Sequence, residues 1–266
     1  MIIDSHIHLY PDDIALRAHQ KLAKAGAIND FTVGSYQNLC KVMDEGGIDR
    51  VIVQNIATGP EDVADVNAFA LSIKDKRIFS FATLHPFEDK CLGRIAQFKK
   101  QGFLGVKLHP YFQHFDIADE RLLPVYATLE RENLPLLIHA GRDFTYKDIV
   151  LAAPKDIYAI QKNFPLLTII AAHMGGMLMR EEAEDYIIGS PVYIDTSLSC
   201  KLLDPKDYER MIKNHGPERI LFGSDFPWND PKQEYRFLMS LGLSDALNEK
   251  ILWRNASKLY GFVAEA

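Results

Sequence analysis

Short apolar runs and amphipathic stretches take turns along the whole chain. Ile2-Ile3 followed by the alternating Asp4-Ser5-His6-Ile7-His8 reads as a short strand. Tyr10 to Asp30 is irregular in pattern, an excursion with at most a helical turn through Ala15–Ala25. Val33–Glu45 then places Tyr36, Leu39, Cys40 and Met43 at i, i+3, i+4 and i+7, a helix that Gly46-Gly47 stops. Val51-Ile52-Val53 is a buried strand, and Pro60 with Glu61 and Asp62 opens a helix whose face is Val63, Val66, Ala70 and Ile73. Strands follow at Ile78–Leu84, Phe103–Leu108, Leu134–Ile138, Leu166–Ala172, Val192–Ile194 and Ile220–Phe222. Helices separate them at Glu88–Lys100 (on Leu92, Ile95 and Phe98), Asp119–Glu132, Pro154–Lys162, Leu178–Ile188 and Pro205–Asn214. Two more, near Pro231–Leu241 and Ser244–Leu259, close the chain.

Eight strand–helix units demand parallel strands joined by helical crossovers. Eight is also the number that closes an α/β (β/α)8 barrel, predicted here as one domain over residues 1–266. An open doubly wound sheet would need a glycine-rich phosphate turn after the first strand, and His6-Ile7-His8-Leu9-Tyr10 offers none.

Composition narrows the function classes. With 47% hydrophobic and 25% charged residues the chain can bury an ordinary core. A net charge of −6 without any Lys/Arg tract argues against nucleic acid or an acidic membrane as partner, leaving a small-molecule substrate. Cys40, Cys91 and Cys200 form no C-x-x-C pair, so the sequence predicts three small buried thiols and a reducing cytoplasmic setting. No apolar run approaches the roughly 18 residues of a membrane span, and no basic segment leads into an apolar one.

The polar residues fall where a barrel keeps its chemistry. His6 and His8 end the first strand and, at i and i+2, share a face. His85 ends the third strand, Lys107 and His109 the fourth, His139 the fifth, His173 the sixth, Asp195 the seventh and Asp225 the eighth. All these ends lie on one rim of a closed parallel barrel. Structural histidines have no reason to prefer that rim, so the pattern points to a metal site begun by the two imidazoles of the first strand. Asp4 could accept a bond from such an imidazole or plug the barrel. His19, His114 and His215 read as loop or helix-surface positions.

Asp4-Ser5-His6-Ile7-His8, Gly105-Val106-Lys107-Leu108-His109-Pro110, His139-Ala140-Gly141, His173-Met174-Gly175-Gly176 and Gly223-Ser224-Asp225-Phe226-Pro227 resemble the amidohydrolase superfamily. Within it they are most similar to the TIM-barrel metal-dependent hydrolases related to aminocarboxymuconate-semialdehyde decarboxylase. The resemblance implies that His6, His8, His139 and Asp225 ligate zinc, with manganese as the other candidate. It makes Asp225 the acceptor of the proton from metal-bound water, and His173 either a second-metal ligand or an acid/base. A lysine at the position of Lys107 is carbamylated in several members and bridges two metals; the alternative is an ammonium that orients an acidic substrate. Helical faces in this family also pair into homodimers.

Two further residues come from placement alone. His109 shares a face with Lys107 and could polarise a substrate carbonyl, or be a plain rim histidine. Arg142 could fork onto a substrate carboxylate, or form a surface salt bridge. Met174, Met177 and Met179 read as packing over the rim, and Phe226-Pro227-Trp228 and Tyr10-Pro11 as opposite walls of a pocket. The leading expectation is hydrolysis of an ester, lactone or amide. Non-oxidative decarboxylation of an unsaturated or aromatic acid is the runner-up, and an idle ligand-binding barrel the third. Some decarboxylase relatives carry glutamate where this chain has His6, which favours hydrolysis.

Overall fold

The computed structural model describes residues 1–26, 31–146 and 148–262, and of residues 19 and 21–26 the backbone alone. Strand β1 (Ile3–Ile7) is followed by helices α1 (Asp12–Gly26) and α2 (Tyr36–Gly46). Strand–helix pairs then run as β2 (Arg50–Gln54) and α3 (Val63–Ser72), β3 (Ile78–Thr83) and α4 (Cys91–Gln101), β4 (Val106–Leu108) and α5 (Leu123–Arg131). Next come β5 (Leu136–Ile138) and α6 (Pro154–Asn163), β6 (Ile169–Ala171) and α7 (Arg180–Tyr186). The short α8 (Ser199–Leu202) and α9 (Pro205–His215) follow β7 (Tyr193–Asp195), and α10 (Pro231–Ser240), α11 (Asp245–Glu249) and α12 (Asn255–Tyr260) follow β8 (Ile220–Leu221).

All seven neighbouring strand pairs are parallel and in chain order, β1 to β8. Closure comes from Ser5 N–H donating to the Phe222 carbonyl (2.8 Å), Asp225 N–H to His6 (2.8 Å) and His8 N–H to Phe226 (2.6 Å). The fold is the expected (β/α)8 barrel. Ile3, Ile52, Phe81, Leu137, Ile170 and Leu221 form one buried cluster; because β1 and β5 lie opposite one another, that cluster fills the barrel interior. A larger cluster joins the outer strand faces to the helices, for example Val106 and Leu136 to Ile95, Val125 and Tyr126.

Several expectations shift. Residues 12–26 form a full helix rather than an irregular excursion; residues 27–30 lie outside the described chain. The second helix begins at Tyr36, with Ser35 accepting from Asn38 N–H as its cap, and Tyr36 itself faces outward. In α4 the buried face is Cys91, Ile95 and Phe98, and Leu92 is exposed. The expected set is spaced i, i+3, i+6 and the buried one i, i+4, i+7, and both are helical spacings until the strand the helix packs on is known. Leu166 is 79% exposed in the turn before β6. His215, expected on a surface, is buried at the end of α9, where its Nδ1 accepts from Gly189 N–H (3.2 Å). Of the three free cysteines only Cys91 is buried; Cys40 and Cys200 are half-buried.

Candidate metal centre

His6, His8 and Asp225 converge at the β1–β8 seam, their ligand atoms within 4.8 Å of one another. The seam itself places them, through the backbone bonds that close the barrel. Gly223 permits the approach, since a Cβ there would lie 2.8 Å from the Cβ of His6. His8 Nδ1 lies 2.9 Å from the Gln54 carbonyl, an acceptor only, so this nitrogen carries the proton. Burial also holds His8 below the ordinary imidazole pKa, which keeps the ring neutral and leaves a lone pair on Nε2. His6 Nδ1 lies 2.8 Å from Asp195 Oδ2. Burial would raise the Asp195 pKa, but the His6 imidazole, His173 and the Ser197 hydroxyl outweigh it, so the carboxylate is ionised and accepts. His6 Nε2, on the far side of the ring, is buried and without a hydrogen-bond partner.

Asp225 Oδ1 lies 3.1 Å from His8 Nε2 and 3.4 Å from His6 Nε2. Burial alone would raise its pKa, yet the surrounding imidazoles hold it well below the usual carboxylate range. A carboxylate oxygen and two imidazole nitrogens thus meet in one buried corner. A divalent cation with nitrogen and oxygen ligands is the charge this corner fits.

A second group stands across the rim. His139 Nε2 donates to the Arg142 carbonyl (3.0 Å), which leaves its Nδ1 unprotonated. The Ser197 hydroxyl gives its proton to Asp195 Oδ1 and so accepts from His173 Nδ1 (2.8 Å). His173 Nε2 then faces His139 Nδ1 at 3.2 Å with a lone pair on each side, a gap that takes a proton or a cation. Burial pushes the pKa of His173 down to about 3 and also lowers that of His139. Lys107 Nζ is fully buried beside them with no hydrogen-bond partner, and burial lowers its pKa to about 8 against the pull of Asp195, Asp225 and Asp143. His109 is stacked between Phe112 (4.0 Å) and His139 (4.4 Å), and its Nε2 is 3.8 Å from Asp143 Oδ2. Asp143 stands equally far from His139 Nε2, making a second trio of possible ligands.

His6, His8, Lys107, His109, His139, His173 and Asp225 line one cavity of about 50 Å³. Phe112, Phe144, Met177, Leu198 and Trp228 wall it. Arg142 is not among its lining; it lies on a separate cleft of about 470 Å³ that also reaches His173. Of the expected walls, Trp228 takes part, Phe226 is buried in the seam core, and Tyr10-Pro11 line a third cavity beside His8. Asp4 binds His6 N–H (3.2 Å), Ser224 N–H (3.0 Å) and the Ser224 hydroxyl rather than an imidazole, so it braces the seam. His85 is buried but lies outside the cavity lining.

Sequence reasoning missed Ser197, Asp143 and Gln54. Ser197 stands two residues beyond Asp195 at a strand end and Asp143 four beyond His139, so each was within reach of the rim rule. Gln54 acts through its backbone, which no side-chain pattern reports. Both His173 (φ 57°) and Asp225 (φ 68°) hold left-handed backbone, strain of a kind that gathers at functional sites.

Known proteins share this arrangement of strands. The amidohydrolase family model matches residues 3–262. An uncharacterized TIM-barrel protein from Bordetella bronchiseptica superposes with a TM-score of 0.73 at 20% identity, over 98% of each chain. A 5-carboxyvanillate decarboxylase from Sphingomonas paucimobilis gives 0.71 at 14% identity, over 98% of this chain and 99% of that one. A dihydroxybenzoic acid decarboxylase from Polaromonas sp. JS666, with bound manganese and the inhibitor 2-nitroresorcinol, gives 0.72 at 16% identity, over 98% and 96%. At these identities the solved structures speak for the fold; the family match over nearly the whole chain speaks for descent. This chain belongs to the amidohydrolase family, whose members are metal-dependent enzymes.

Proposed function

We propose that the protein is a metal-dependent hydrolase in which His6, His8, His139 and Asp225 hold one divalent ion. The convergence of two imidazole nitrogens on Asp225 Oδ1 carries this reading. Nitrogen-rich ligation suits zinc, and manganese, present in two similar structures, is the alternative ion. When bound, such an ion supplies Lewis acidity toward a carbonyl and lowers the pKa of water toward about 7.

The chain's own residues do the rest. Asp225 is ionised and can take the proton of the attacking water, then return it to the leaving group of an ester, lactone or amide. Asp195 and Gln54 fix the tautomers of His6 and His8, so both present Nε2 without rearrangement. His173 is kept neutral by burial and aligned by Ser197, with Nε2 open to accept a proton. Lys107 has the buried, readily deprotonated amine that a carbamate requires: the neutral nitrogen adds to carbon dioxide and releases a proton. With that anion in place, Lys107 and His173 would hold a second ion. His109, on the cavity wall, is the group placed to polarise a substrate carbonyl.

The test is metal content and turnover on a panel of esters, lactones and amides. Chelation should abolish activity, and zinc or manganese should restore it; full activity in metal-free protein would sink the reading. Decarboxylation is the second reading, supported by the named activities of two structurally similar proteins. In that case an unmodified Lys107 ammonium attracts the acid, and His173 or Asp225 moves the proton. Carbon dioxide release from aromatic and unsaturated acids, with no ester turnover, would replace hydrolysis with this chemistry.

A further inference from the structure

Behind Leu198 and Trp228, two walls of the metal cavity, lies a carboxyl that no step above uses. Glu234 stands in the first turn of α10 and is fully buried, as is Asn229 ahead of that helix. Its Oε2 accepts from the Asn229 amide (2.9 Å) and from Cys200 N–H (3.3 Å), and Oε1 lies equally far from the same N–H. The Asn229 amide also reaches Cys200 Sγ (3.3 Å). Nearer the cavity, Lys201 Nζ donates to the Trp228 carbonyl (2.6 Å).

The two segments joined in this way are weakly secured by their own residues. Helix α8 has four residues, too few to hold a helix alone, and it starts from Leu198 in left-handed backbone (φ 62°) without a side-chain cap. The N–H groups of Ser199, Lys201 and Leu202 find backbone carbonyls at Thr196 and Leu198, whereas Cys200 N–H turns to Glu234. Across the gap, the turn from Asp225 (φ 68°) is closed by Trp228 N–H donating to the Asp225 carbonyl (2.9 Å). Left-handed backbone at residues other than glycine is strained and persists where its surroundings hold it.

Packing alone does not call for a carboxyl here. Burial raises the Glu234 pKa well above the ordinary carboxyl range against the bonds from Cys200, and Asp4 and Asp195 add to the rise, so the acid is neutral. Even a neutral carboxyl is costly to bury, and a methionine would fill similar space. What the carboxyl adds is Oε2, the acceptor that Cys200 N–H and the Asn229 amide share inside the protein. Those two groups lead to the site. Ser197, three residues before Cys200, aligns His173 through Nδ1 (2.8 Å), and Leu198 and Trp228 face the cavity.

We infer that Glu234 is a positioning residue of the metal centre: its Oε2 ties the segment carrying Ser197 and Leu198 to the one carrying Trp228, which sets the His173 ring and the width of the cavity. The inference rests on the metal-centre reading for what the site does, and on these hydrogen bonds for the tie itself.

The chain has two tryptophans, so a Trp253→Phe background leaves Trp228 as the sole emitter. In zinc-loaded protein of that background, Glu234→Met should shift Trp228 emission to the red and strengthen its quenching by acrylamide. Turnover of the ester, lactone or amide found in the panel should fall about tenfold or more, since misplacement by about 1 Å can cost about 100-fold. Glu234→Gln keeps a carbonyl oxygen for both donors and should restore emission and turnover. Ile95→Val, in the outer cluster, should lower the melting temperature and change neither. Asn229→Ala removes one donor and should give the same changes in smaller measure, which reads the tie even if Glu234→Met does not fold. The inference is overturned if Glu234→Met, or Asn229→Ala where it alone folds, leaves Trp228 emission unchanged, if emission shifts while turnover holds, or if Glu234→Gln shares the full defect. Zinc content, measured separately, judges the metal reading: a chain that takes no zinc and turns over nothing, yet shows the Trp228 shift and its rescue, sinks the metal centre and leaves the tie standing.

Discussion

The two halves of the barrel rim are built from the same residue types and prepared to different degrees. At the β1–β8 seam each imidazole has its outer nitrogen tied to a fixed acceptor, Gln54 for His8 and Asp195 for His6, and a carboxylate faces the inner nitrogens. Across the rim, Lys107 Nζ has no hydrogen bond and the His139–His173 pair lacks the charge between its nitrogens. The seam gathers two imidazoles and a carboxylate around one point. The opposite half has the Asp143 carboxylate beside His109 and His139, but at the end of β4 Lys107 offers a base where a bridging ligand would need a carboxylate. A protein can therefore ready one ion site with its own side chains and leave a second conditional on a covalent modification.

The largest effect should come from breaking the seam. Asp225→Asn should lower turnover about a thousandfold or more, since it removes both an anionic ligand and the proton acceptor. It should also cut zinc affinity in equilibrium dialysis, and a variant with near-normal turnover would end the comparison. Lys107→Met should sharpen it. In carbon dioxide-free buffer wild type and variant should each bind one equivalent of zinc. With bicarbonate above about pH 8, wild type alone should gain a second equivalent and a carbon dioxide adduct by intact mass, because its amine is then largely neutral. An identical zinc stoichiometry in both would leave the far half as a proton relay. Asp195→Asn should weaken zinc binding about 10- to 100-fold without removing any ligand, as expected when an outer partner that fixes a histidine tautomer is lost.

The seam was legible in the sequence for a physical reason. Its ligands sit at strand ends, where period-2 alternation fixes the face, and the eightfold repetition fixes the rim. The same rule placed His139 and His173 on the rim, and the fold brings all five residues to one cavity. The partners that tune them were harder to see. The Gln54 carbonyl is indistinguishable from any other backbone group in a string of letters. Ser197 matters only because β7 lies beside β6 and brings its hydroxyl to His173. Arg142 shows the opposite limit. The sequence placed it after the fifth strand as a possible fork for a substrate carboxylate, and only the turn after β5 shows that it lines a cleft of its own beside His173. Helix α1 was expected as at most a turn through Ala15–Ala25, although residues 12–26 are amphipathic enough to read as a helix.

The smallest expected effect concerns Asp4, beneath the seam. It is fully buried, and desolvation raises its pKa from 3.8 to about 7 against the bonds from Ser224 and His6 N–H. Between about pH 3.8 and 7 the folded chain holds a proton that the unfolded chain releases. Asp4 therefore contributes stability that is complete below about pH 3.8 and lost as pH rises through about 7. The difference corresponds to about 4 kcal/mol as an upper bound for one buried carboxyl. Asp195 and Asp225 act with the opposite sign, because their folded pKa values lie below 3.8, but their stability is lost only as pH falls beneath that value. The two windows do not overlap. Subtracting the chelator-treated Asp4→Asn melting curve from that of wild type should isolate Asp4, since Asn mimics the protonated acid at every pH. Wild type should lose stability relative to Asp4→Asn between about pH 5 and 7.5, while zinc affinity, which depends on groups above Asp4, changes by less than about threefold. A flat difference curve would mean that Asp4 is ionised in the folded chain and that its bonds to Ser224 and the His6 amide outweigh its burial.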